Sequence, residues 1–511
     1  MSKKIGGVIA LVGMCALSVF LVNCGNSSTR PAGVVYVLTQ GTTGIGNNVT
    51  SFAMNLANGN LTEINDNAST CPTTATLTNP EPCGIPIDIL LDPLGATGFV
   101  LNQGIPCPEV LQNGVYVCGT VPGSNPPVAA VPVPPTIYPY VTYEDGSLSS
   151  PGTPAIWTCP SNPTSCTYSD SALNMTRDAA GQFLFVISHG SYPSPGYPEP
   201  TLTNPSCPHA PSGQHPETDV CPSISVYSIK PGSTTMTLAS GSPFYLSKIP
   251  SGLATITFTP PTATAPQEFL YVSNNLDICT QNCVLPQHSD NTVSAYTVSS
   301  SGTLTEQPYS PYVVAAVNPV SVMPVYTNLP GTNSGGLYVY VGNSSPSGGG
   351  VNPFYVCTVQ NPICPLEQDV QNNLMTPLVQ VCGTPPCNPV PPTSVGSNPL
   401  QMLADPTNNF LYVLSEGSNQ VFAFRISPSA GTLTALAPPN QPTGSQPVSM
   451  AIHAAVNVQG QPLYQSSGQF LYTSNTTASS ISGFSINATN GSMSSPLSVI
   501  SPAAPSGIAV H

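Results

Sequence analysis

Charged side chains are the scarcest component of this sequence. Only 5% of its 511 residues are charged, with 7 Lys or Arg against 21 Asp or Glu. A surface with so few cations cannot hold nucleic acid by neutralising phosphates, and it offers few groups for a phosphorylated substrate. The sequence therefore argues against nucleic-acid binding and predicts a surface of Ser, Thr, Asn, Gln and Pro.

Helical periodicity is also missing, and a repeat of short strands stands in its place. An aromatic strand such as FLYVSNN recurs seven times. Each copy is followed by a strand such as VSAYTVS, in which apolar residues alternate with polar or small ones. The aromatic strands occupy residues 34–40, 97–103, 183–189, 269–275, 337–343, 410–416 and 470–475. The alternating strands occupy residues 49–55, 137–143, 224–230, 293–299, 354–360, 421–427 and 481–487. Self-similarity at a long period is typical of a radial or stacked β array.

Two further strands complete each unit. A Gly-centred turn and an outer strand follow in five units, at residues 58–64, 145–150, 301–306, 430–436 and 490–495. A strand that usually begins with proline precedes the aromatic strand, as in PIDILLD at residues 86–92. Four strands in seven units predict an all-β, seven-bladed β-propeller over residues 34–511. Because the chain ends on such a leading strand, at residues 505–511, we expect that strand to complete the first blade and close the ring.

The N-terminus predicts export. Lys3 and Lys4 precede an apolar run that ends at Val22, as in a secretory signal, and Leu21 to Cys24 are similar to a bacterial lipobox. The interpretation is a lipoprotein signal peptide over residues 1–23, lipidation of Cys24 and a tether over residues 24–33. The alternative is an uncleaved N-terminal anchor. Both place the propeller outside the cytoplasm, at the cell envelope.

Fourteen further cysteines fall into seven close pairs, which in an exported chain predict disulfides. The pairs are Cys71 with Cys83, Cys107 with Cys118, Cys159 with Cys166, Cys207 with Cys221, Cys279 with Cys283, Cys357 with Cys364, and Cys382 with Cys387. The alternative is metal ligation, which needs clustered Cys or His; the pairs are instead scattered around the ring, so no metal or cofactor is expected. Six pairs lie in connections that reach one face of the propeller, together with the longest Pro-rich insertions. Ordered loops on a rigid scaffold often carry binding function, although the insertions could equally be neutral.

The aromatic strands end on that same face, and their last residues are the candidate site. These residues are Gln40, Gln103, His189, Asn275, Asn343, Glu416 and Asn475. Glu416 and His189 are candidates for an acid/base pair, and the amides are candidates for ligand binding. Tyr192 and Tyr197, in the loop after His189, could stack on a sugar. The alternative for each is a solvated or hydrogen-bonded residue at a strand end, or a loop packed on itself.

The opposite face receives Asp92, Asp178 and Asp405, each at the end of a leading strand. Asp92 and Asp405 stand before Pro in turn-like sequences, where Asp accepts hydrogen bonds from nearby backbone N–H groups. We therefore predict a structural function for these carboxylates.

The repeat resembles the β-propeller lactonase family, the 6-phosphogluconolactonase-like group that shares its blade pattern with YVTN-repeat proteins. Residues 269–275, 293–311 and 410–436 carry the resemblance. It implies a seven-bladed propeller and hydrolysis or formation of a lactone, assisted by charged residues in the channel. The predicted mouth contains no arginine, so a phosphorylated lactone does not fit it.

Two functions follow as hypotheses. The first is a monomeric binding propeller at the envelope, held on the membrane by its lipid anchor, that recognises a glycan, a peptide or an envelope partner. The second is an exported hydrolase of a neutral lactone, in which Glu416 or His189 activates water.

Overall fold

The computed structural model describes the seven blades and leaves out parts of their connections. The described residues are 33–40, 47–70, 84–104, 109–112, 115–118, 135–156, 172–188, 222–246, 248–259, 265–277, 291–314, 318–327, 336–345, 348–358, 369, 373–377, 389–453, 469–500 and 504–511. The predicted signal peptide and almost all of the tether, including Cys24, lie outside them. In the described part, no helix is long and apolar enough to cross a membrane.

Each blade is an antiparallel sheet, and in all but the first blade the strands run in chain order from the centre outward. The innermost strands are β4 (Ile85–Leu91), β10 (Ala172–Arg177), β15 (Lys248–Phe258), β20 (Pro319–Thr327), β25 (Pro399–Ala404), β29 (Pro447–His453) and β33 (Pro505–Val510). The second strands are β1 (Val34–Thr39), β5 (Thr97–Gln103), β11 (Phe183–Ser188), β16 (Gln267–Asp277), β21 (Gly336–Asn343), β26 (Phe410–Ser415) and β30 (Gln469–Asn475).

The outer half of each blade is more variable. The third strands are β2 (Asn48–Met54), β8 (Thr136–Val141), β12 (Ser223–Ser228), β17 (Thr292–Val298), β22 (Gly350–Val356), β27 (Gln420–Ile426) and β31 (Ser480–Ile486). The outer strands are β3 (Leu61–Ser69), β9 (Ala155–Ile156), β13 (Thr237–Leu238), β14 (Phe244–Tyr245), β18 (Leu304–Glu306), β19 (Tyr312–Val313), β23 (Met375–Pro377), β24 (Thr393–Ser394), β28 (Leu433–Pro442) and β32 (Leu497–Ile500). A small hairpin of β6 (Glu109–Gln112) and β7 (Val115–Cys118) lies between β5 and β8.

The ring closes as the sequence predicts. Strand β33 pairs with β1, so the first sheet has the order β3-β2-β1-β33. The innermost strands contact one another in turn from β4 through β10, β15, β20, β25 and β29 to β33, which contacts β4 again. The structure is therefore a seven-bladed propeller, and each innermost strand is flanked on both sides. We number the blades 1 to 7, with β33 and β1 to β3 forming blade 1.

A tyrosine of the second strand joins neighbouring blades. The hydroxyl of Tyr340 donates to the carbonyl of Gly431 in the next blade at 2.8 Å, and Tyr412 and Tyr472 donate to Gly491 and Gly59 over the same distance. These glycines stand at the predicted turns. The bond from Tyr472 to Gly59 joins blade 7 to blade 1, so the ring closes with the contact that also joins blades 5, 6 and 7.

The five predicted Gly-centred turns are confirmed. The glycines at their centres, Gly59, Gly146, Gly302, Gly431 and Gly491, have φ between 65° and 87°. At Gly431 a Cβ would also lie 2.2 Å from the Tyr338 ring of the preceding blade. Any other residue would therefore be strained by its backbone and would push the two blades apart.

One strand prediction was wrong in register. In blade 5 the third strand is β22, which ends at Val356, whereas the sequence indicated residues 354–360. Pro353 lies opposite Tyr340 in the middle of β22, and proline usually argues against a strand interior. Pro139 occupies the equivalent place in blade 2, opposite Phe99. The third strand therefore accepts proline at this position.

Candidate functional site

The predicted site residues fall into two rows when they are counted from the tyrosine or phenylalanine of each second strand. Four of them lie four residues after that aromatic, at the face where the second strands end, which we call the upper face. These are Gln40, Gln103, Asn275 and Glu416, and all are partly exposed. Ser344 and Thr476 occupy the same place in blades 5 and 7, and both are also partly exposed. We call these six residues the upper row.

Asn343 and Asn475 lie one residue earlier, in a layer behind the upper row. Because successive side chains of a strand alternate between faces, that step turns them into the blade, where they are 5% and 0% exposed. The Asn475 amide donates to the hydroxyls of Ser480 and Ser482 at 3.2 and 3.0 Å. The structure thus places both residues in the packing beneath the candidate site, rather than among its exposed groups.

The upper row borders the central channel. The Gln40 amide donates to the carbonyl of Pro86 at 3.2 Å, and the Thr476 hydroxyl donates to the carbonyl of Pro505 at 2.6 Å. Each acceptor lies at the start of the innermost strand of the following blade. The row therefore follows the rim of the channel and joins one blade to the next.

Glu416 belongs to a hydrogen-bonded chain that spans blades 5 and 6. Its carboxylate accepts a hydrogen bond from the Asn398 amide nitrogen at 2.5 Å, and the Asn398 carbonyl oxygen accepts one from the Ser344 hydroxyl at 2.8 Å. Asn398 has a φ of 50° and accepts the backbone N–H of Glu416 through its own backbone carbonyl. This arrangement orients the carboxylate as an acceptor.

Several predicted site residues lie outside the described part of the chain. They include the proposed partner of Glu416, His189, and the two loop tyrosines, Tyr192 and Tyr197. Their meeting with Glu416 stays a prediction.

Two of the paired cysteines lie in the described part of the chain. Cys118 ends β7, and Cys357 follows β22 and is disulfide-bonded. The other twelve lie outside the described residues, namely Cys71, Cys83, Cys107, Cys159, Cys166, Cys207, Cys221, Cys279, Cys283, Cys364, Cys382 and Cys387. The pairing of Cys357 with Cys364 and the other six pairs stay predictions.

Sequence reasoning missed Asp88, a carboxylate in the channel wall two residues below Pro86. Its oxygens accept the backbone N–H groups of Ile89 at 2.8 Å and of Met175, in blade 3, at 3.2 Å. Burial raises the pKa of Asp88 to about 6, against the lowering effect of those two bonds. In the same way, the side-chain oxygen of Gln401 accepts the backbone N–H of Met450, in blade 7, at 2.6 Å. The signal was a carboxylate where the other leading strands carry an amide, a serine or a glycine, namely Asn174, Gly252, Ser321, Gln401, Ser449 and Gly507.

Part of this chain matches a known protein family. Residues 385–498, less than a quarter of the chain, match the family model described as "Lactonase, 7-bladed beta-propeller". The resemblance to the lactonase propellers is confirmed. The matched segment contains all of blade 6 and therefore Glu416. No curated protein matches the sequence.

Solved structures similar to this lactonase-like propeller share little sequence with it. The periplasmic gluconolactonase PpgL of Pseudomonas aeruginosa is 14% identical, with 94% of this chain and 98% of that one covered and a TM-score of 0.49. A putative 6-phosphogluconolactonase from Bacteroides uniformis is 10% identical, with 94% and 99% covered and a TM-score of 0.49. Another from Bacteroides fragilis is 12% identical, with 96% and 100% covered and a TM-score of 0.48.

The lower face of this lactonase-like propeller, where the leading strands end, carries the three predicted structural carboxylates. One oxygen of Asp178 accepts the backbone N–H groups of Gln182 and Phe183, both at 2.7 Å. Asp405 accepts those of Asn409 and Phe410 at 2.9 and 2.8 Å, and Asp92 caps the corresponding turn of blade 2. The prediction of a structural function is confirmed for all three.

A cleft of about 470 Å³ opens on the lower face between blades 3 and 4. Glu268, at the start of β16, lies in it beside Asp178. Burial first, and then the negative charge of Asp178, raise the pKa of Glu268 to about 8. No motif in the sequence indicated this pair, because the two carboxyls come from different blades and only the ring brings them together. In the described part of the chain, no group of three or more His, Cys, Asp or Glu could hold a metal ion.

Proposed function

We propose that this lactonase-like propeller is an extracytoplasmic binding protein that recognises an uncharged, hydroxyl-rich ligand, such as a glycan, at its upper face. The observation that carries the proposal is the chemistry of the upper row, in which five amide or hydroxyl side chains accompany one carboxylate. Amides and hydroxyls both donate and accept hydrogen bonds, which suits the hydroxyl groups of a sugar. Three of these side chains already reach the next blade through hydrogen bonds, so the scaffold holds them in place.

The location and the anchor belong to the same proposal. The basic, apolar N-terminus and Leu21 to Cys24 support export and lipidation of Cys24. The disulfide at Cys357 supports an oxidising compartment. We infer that the remaining cysteine pairs clip the connections of the upper face around the bound ligand.

The test is binding of the chain from residue 25, which lacks the lipidation site Cys24, to an array of neutral glycans. We expect the double variant Gln103→Ala, Asn275→Ala to lose at least tenfold in affinity, since both partly exposed amides belong to the row. The control is Asn409→Ala, an exposed amide on the lower face, which should bind as the parent does. The absence of any bound glycan, or equal binding by the double variant, would overturn the proposal.

Hydrolysis of a neutral lactone is the second candidate, and two observations favour it. The matched family model is named for lactonase, and Asp88 has its pKa raised to about 6 in the channel wall. A carboxylate with that pKa is ionised at pH 7 and is a stronger base than an ordinary one, as general-base activation of water requires. Glu416 and His189 are the other candidates for this base.

This candidate predicts that glucono-1,5-lactone is hydrolysed faster than by buffer, with a rate that rises with pH through about 6 as Asp88 loses its proton. Asp88→Asn should abolish that rise while the fold, followed by its melting temperature, persists. A double variant Glu416→Gln, His189→Ala tests the other pair. Equal rates in all three proteins would remove lactone hydrolysis by these residues.

A further inference from the structure

The cleft on the lower face is independent of the upper row and has walls from two blades. Blade 3 contributes the turn that holds Asp178 and Gln182, and blade 4 contributes Glu268, Thr257 and Thr297. Glu268 is paired across the sheet with Thr257 of β15 and Val298 of β17. Neither neighbour titrates, and among the described residues that line the cleft the other charged group is Asp178. A volume of this size is typical of small-molecule sites.

Glu268 is unsatisfied in this cleft. Its Oε1 is shielded from solvent and accepts no hydrogen bond from the described residues. Leaving such an acceptor without a donor costs about 1–3 kcal/mol. The neighbouring carboxylate adds to that cost, as the raised pKa of Glu268 reflects.

Arg177, the neighbour of Asp178 in the chain, does not bond to Glu268. Arg177 directs its Nε to the carbonyl of Leu91 at 2.6 Å and one terminal nitrogen to the backbone carbonyl of Asp178 at 3.2 Å. Among the described residues that line the cleft, none is basic. The cleft therefore offers two carboxyl groups, hydroxyls and amide oxygens with no positive charge of its own.

The position of Glu268 is also peculiar to blade 4. Three residues before the aromatic of each second strand, the other blades carry Gly33, Ala96, Gln182, Leu337, Asn409 and Gln469. The propeller fold thus does not require a carboxyl group here. An acid with a shielded oxygen that has no partner among the described residues, and that the repeat does not need, points to a ligand.

We propose that this cleft binds a small organic ammonium ion, whose N–H groups donate to Glu268 and Asp178 while its body lies against the hydroxyls of Thr257 and Thr297. The ligand supplies both of the things that the cleft lacks, a positive charge and hydrogen-bond donors. Charge-assisted bonds of this kind are about twice as strong as neutral ones.

Binding of the ammonium ion should release a proton from Glu268. At pH 6 to 7 the carboxyl of Glu268 is protonated, since its pKa is about 8. The ammonium ion arrives charged and needs the carboxylate, so each bound ligand sends one proton from Glu268 to the buffer. Affinity should therefore rise about tenfold per pH unit below pH 8 and level off above it.

Calorimetric titration of the mature chain with protonated ethanolamine tests this, in buffers of different ionisation enthalpy at pH 6, 7 and 8.5. We expect release of nearly one proton per ligand at pH 6 and a small fraction at pH 8.5. Glu268→Gln should lose more than tenfold in affinity and all proton release. Glu144→Gln removes an exposed carboxyl elsewhere and should change neither.

Four outcomes would overturn the inference. They are no binding of ethanolamine up to about 100 mM, equal affinity in Glu268→Gln, equal affinity for the neutral analogue ethylene glycol, and displacement by an equimolar amount of Ca²⁺. The upper row is untouched in every arm, so the result does not depend on the proposed glycan function.

Discussion

The upper row and the lower cleft lie on the same scaffold and differ in how their polar groups are satisfied. In the upper row, Gln40, Ser344, Glu416 and Thr476 all have hydrogen-bond partners. In the lower cleft, Glu268 has an unpartnered, shielded oxygen and a raised pKa. The difference teaches that the repeat supplies geometry on both faces. Unusual chemistry appears where a single blade departs from the repeat.

The largest expected effect is on the free energy of unfolding, to which the lower face should contribute more than the upper face. Asp178→Ala leaves the N–H groups of Gln182 and Phe183 without their acceptor, so we expect a loss of about 3 kcal/mol in the free energy of unfolding. Asp405→Ala should cost a similar amount, because Asp405 caps the same turn in blade 6. Glu416→Ala, on the upper face, should cost about 1 kcal/mol or less. Urea unfolding of the three variants checks the order, and a cost for Glu416→Ala equal to the others would remove the distinction.

A smaller effect concerns pH. Because the folded-state pKa of Glu268, about 8, exceeds its ordinary value of 4.5, its protonated form favours folding. That contribution is complete below pH 4.5 and is lost as the pH rises through 8. Glu268→Gln should therefore gain about 1–2 kcal/mol over the parent between pH 5 and pH 9, a figure reduced from the full shift because the side chain is partly exposed.

Urea unfolding of the parent and Glu268→Gln at pH 5 and pH 9 measures this gain. The matched variant is Glu144→Gln, which removes one exposed carboxyl away from the cleft. A Glu268→Gln difference that stays flat would mean that Glu268 is ionised at neutral pH and that the two faces are electrostatically alike.

The smallest effect divides the upper face into its two layers. Asn475→Ala removes hydrogen bonds to Ser480 and Ser482 from a fully buried amide, so we expect a loss of about 1–2 kcal/mol in the free energy of unfolding. Asn275→Ala, in the partly exposed row, should cost less than about 0.5 kcal/mol. Urea midpoints of the two variants give the comparison. Equal costs would mean that the register does not separate a structural layer from a binding row.

Most of the fold could be predicted from the sequence, because each blade repeats the same local patterns of residues. The aromatic strands, the five Gly-centred turns and the closing strand β33 could all be predicted from spacing and from the residues that tolerate positive φ. In blade 5 the third strand was predicted to begin four residues too late, because residues 354–360 fit the alternating pattern of the other blades. The two layers of the upper face were not predicted, because a difference of one residue, between Asn343 and Ser344, decides which face of the strand a side chain occupies.

The candidate chemistry was harder to predict. The pairing of Asp178 with Glu268 joins residues far apart in sequence, and the raised pKa of Asp88 depends on burial against blade 3. Neither is visible in a pattern of residue types. Both require the ring, which brings neighbouring blades into contact.

The most direct test of this contrast is the titration of Glu268 itself, followed by NMR of the mature chain with ¹³C-labelled glutamate side chains between pH 3 and pH 10. One carboxyl signal should titrate near pH 8, and it should be missing from Glu268→Gln, while the Glu416 signal, assigned with Glu416→Gln, stays in both spectra. If every glutamate signal in the parent titrates below about pH 5.5, Glu268 is an ordinary exposed acid and the contrast between the two faces is contradicted.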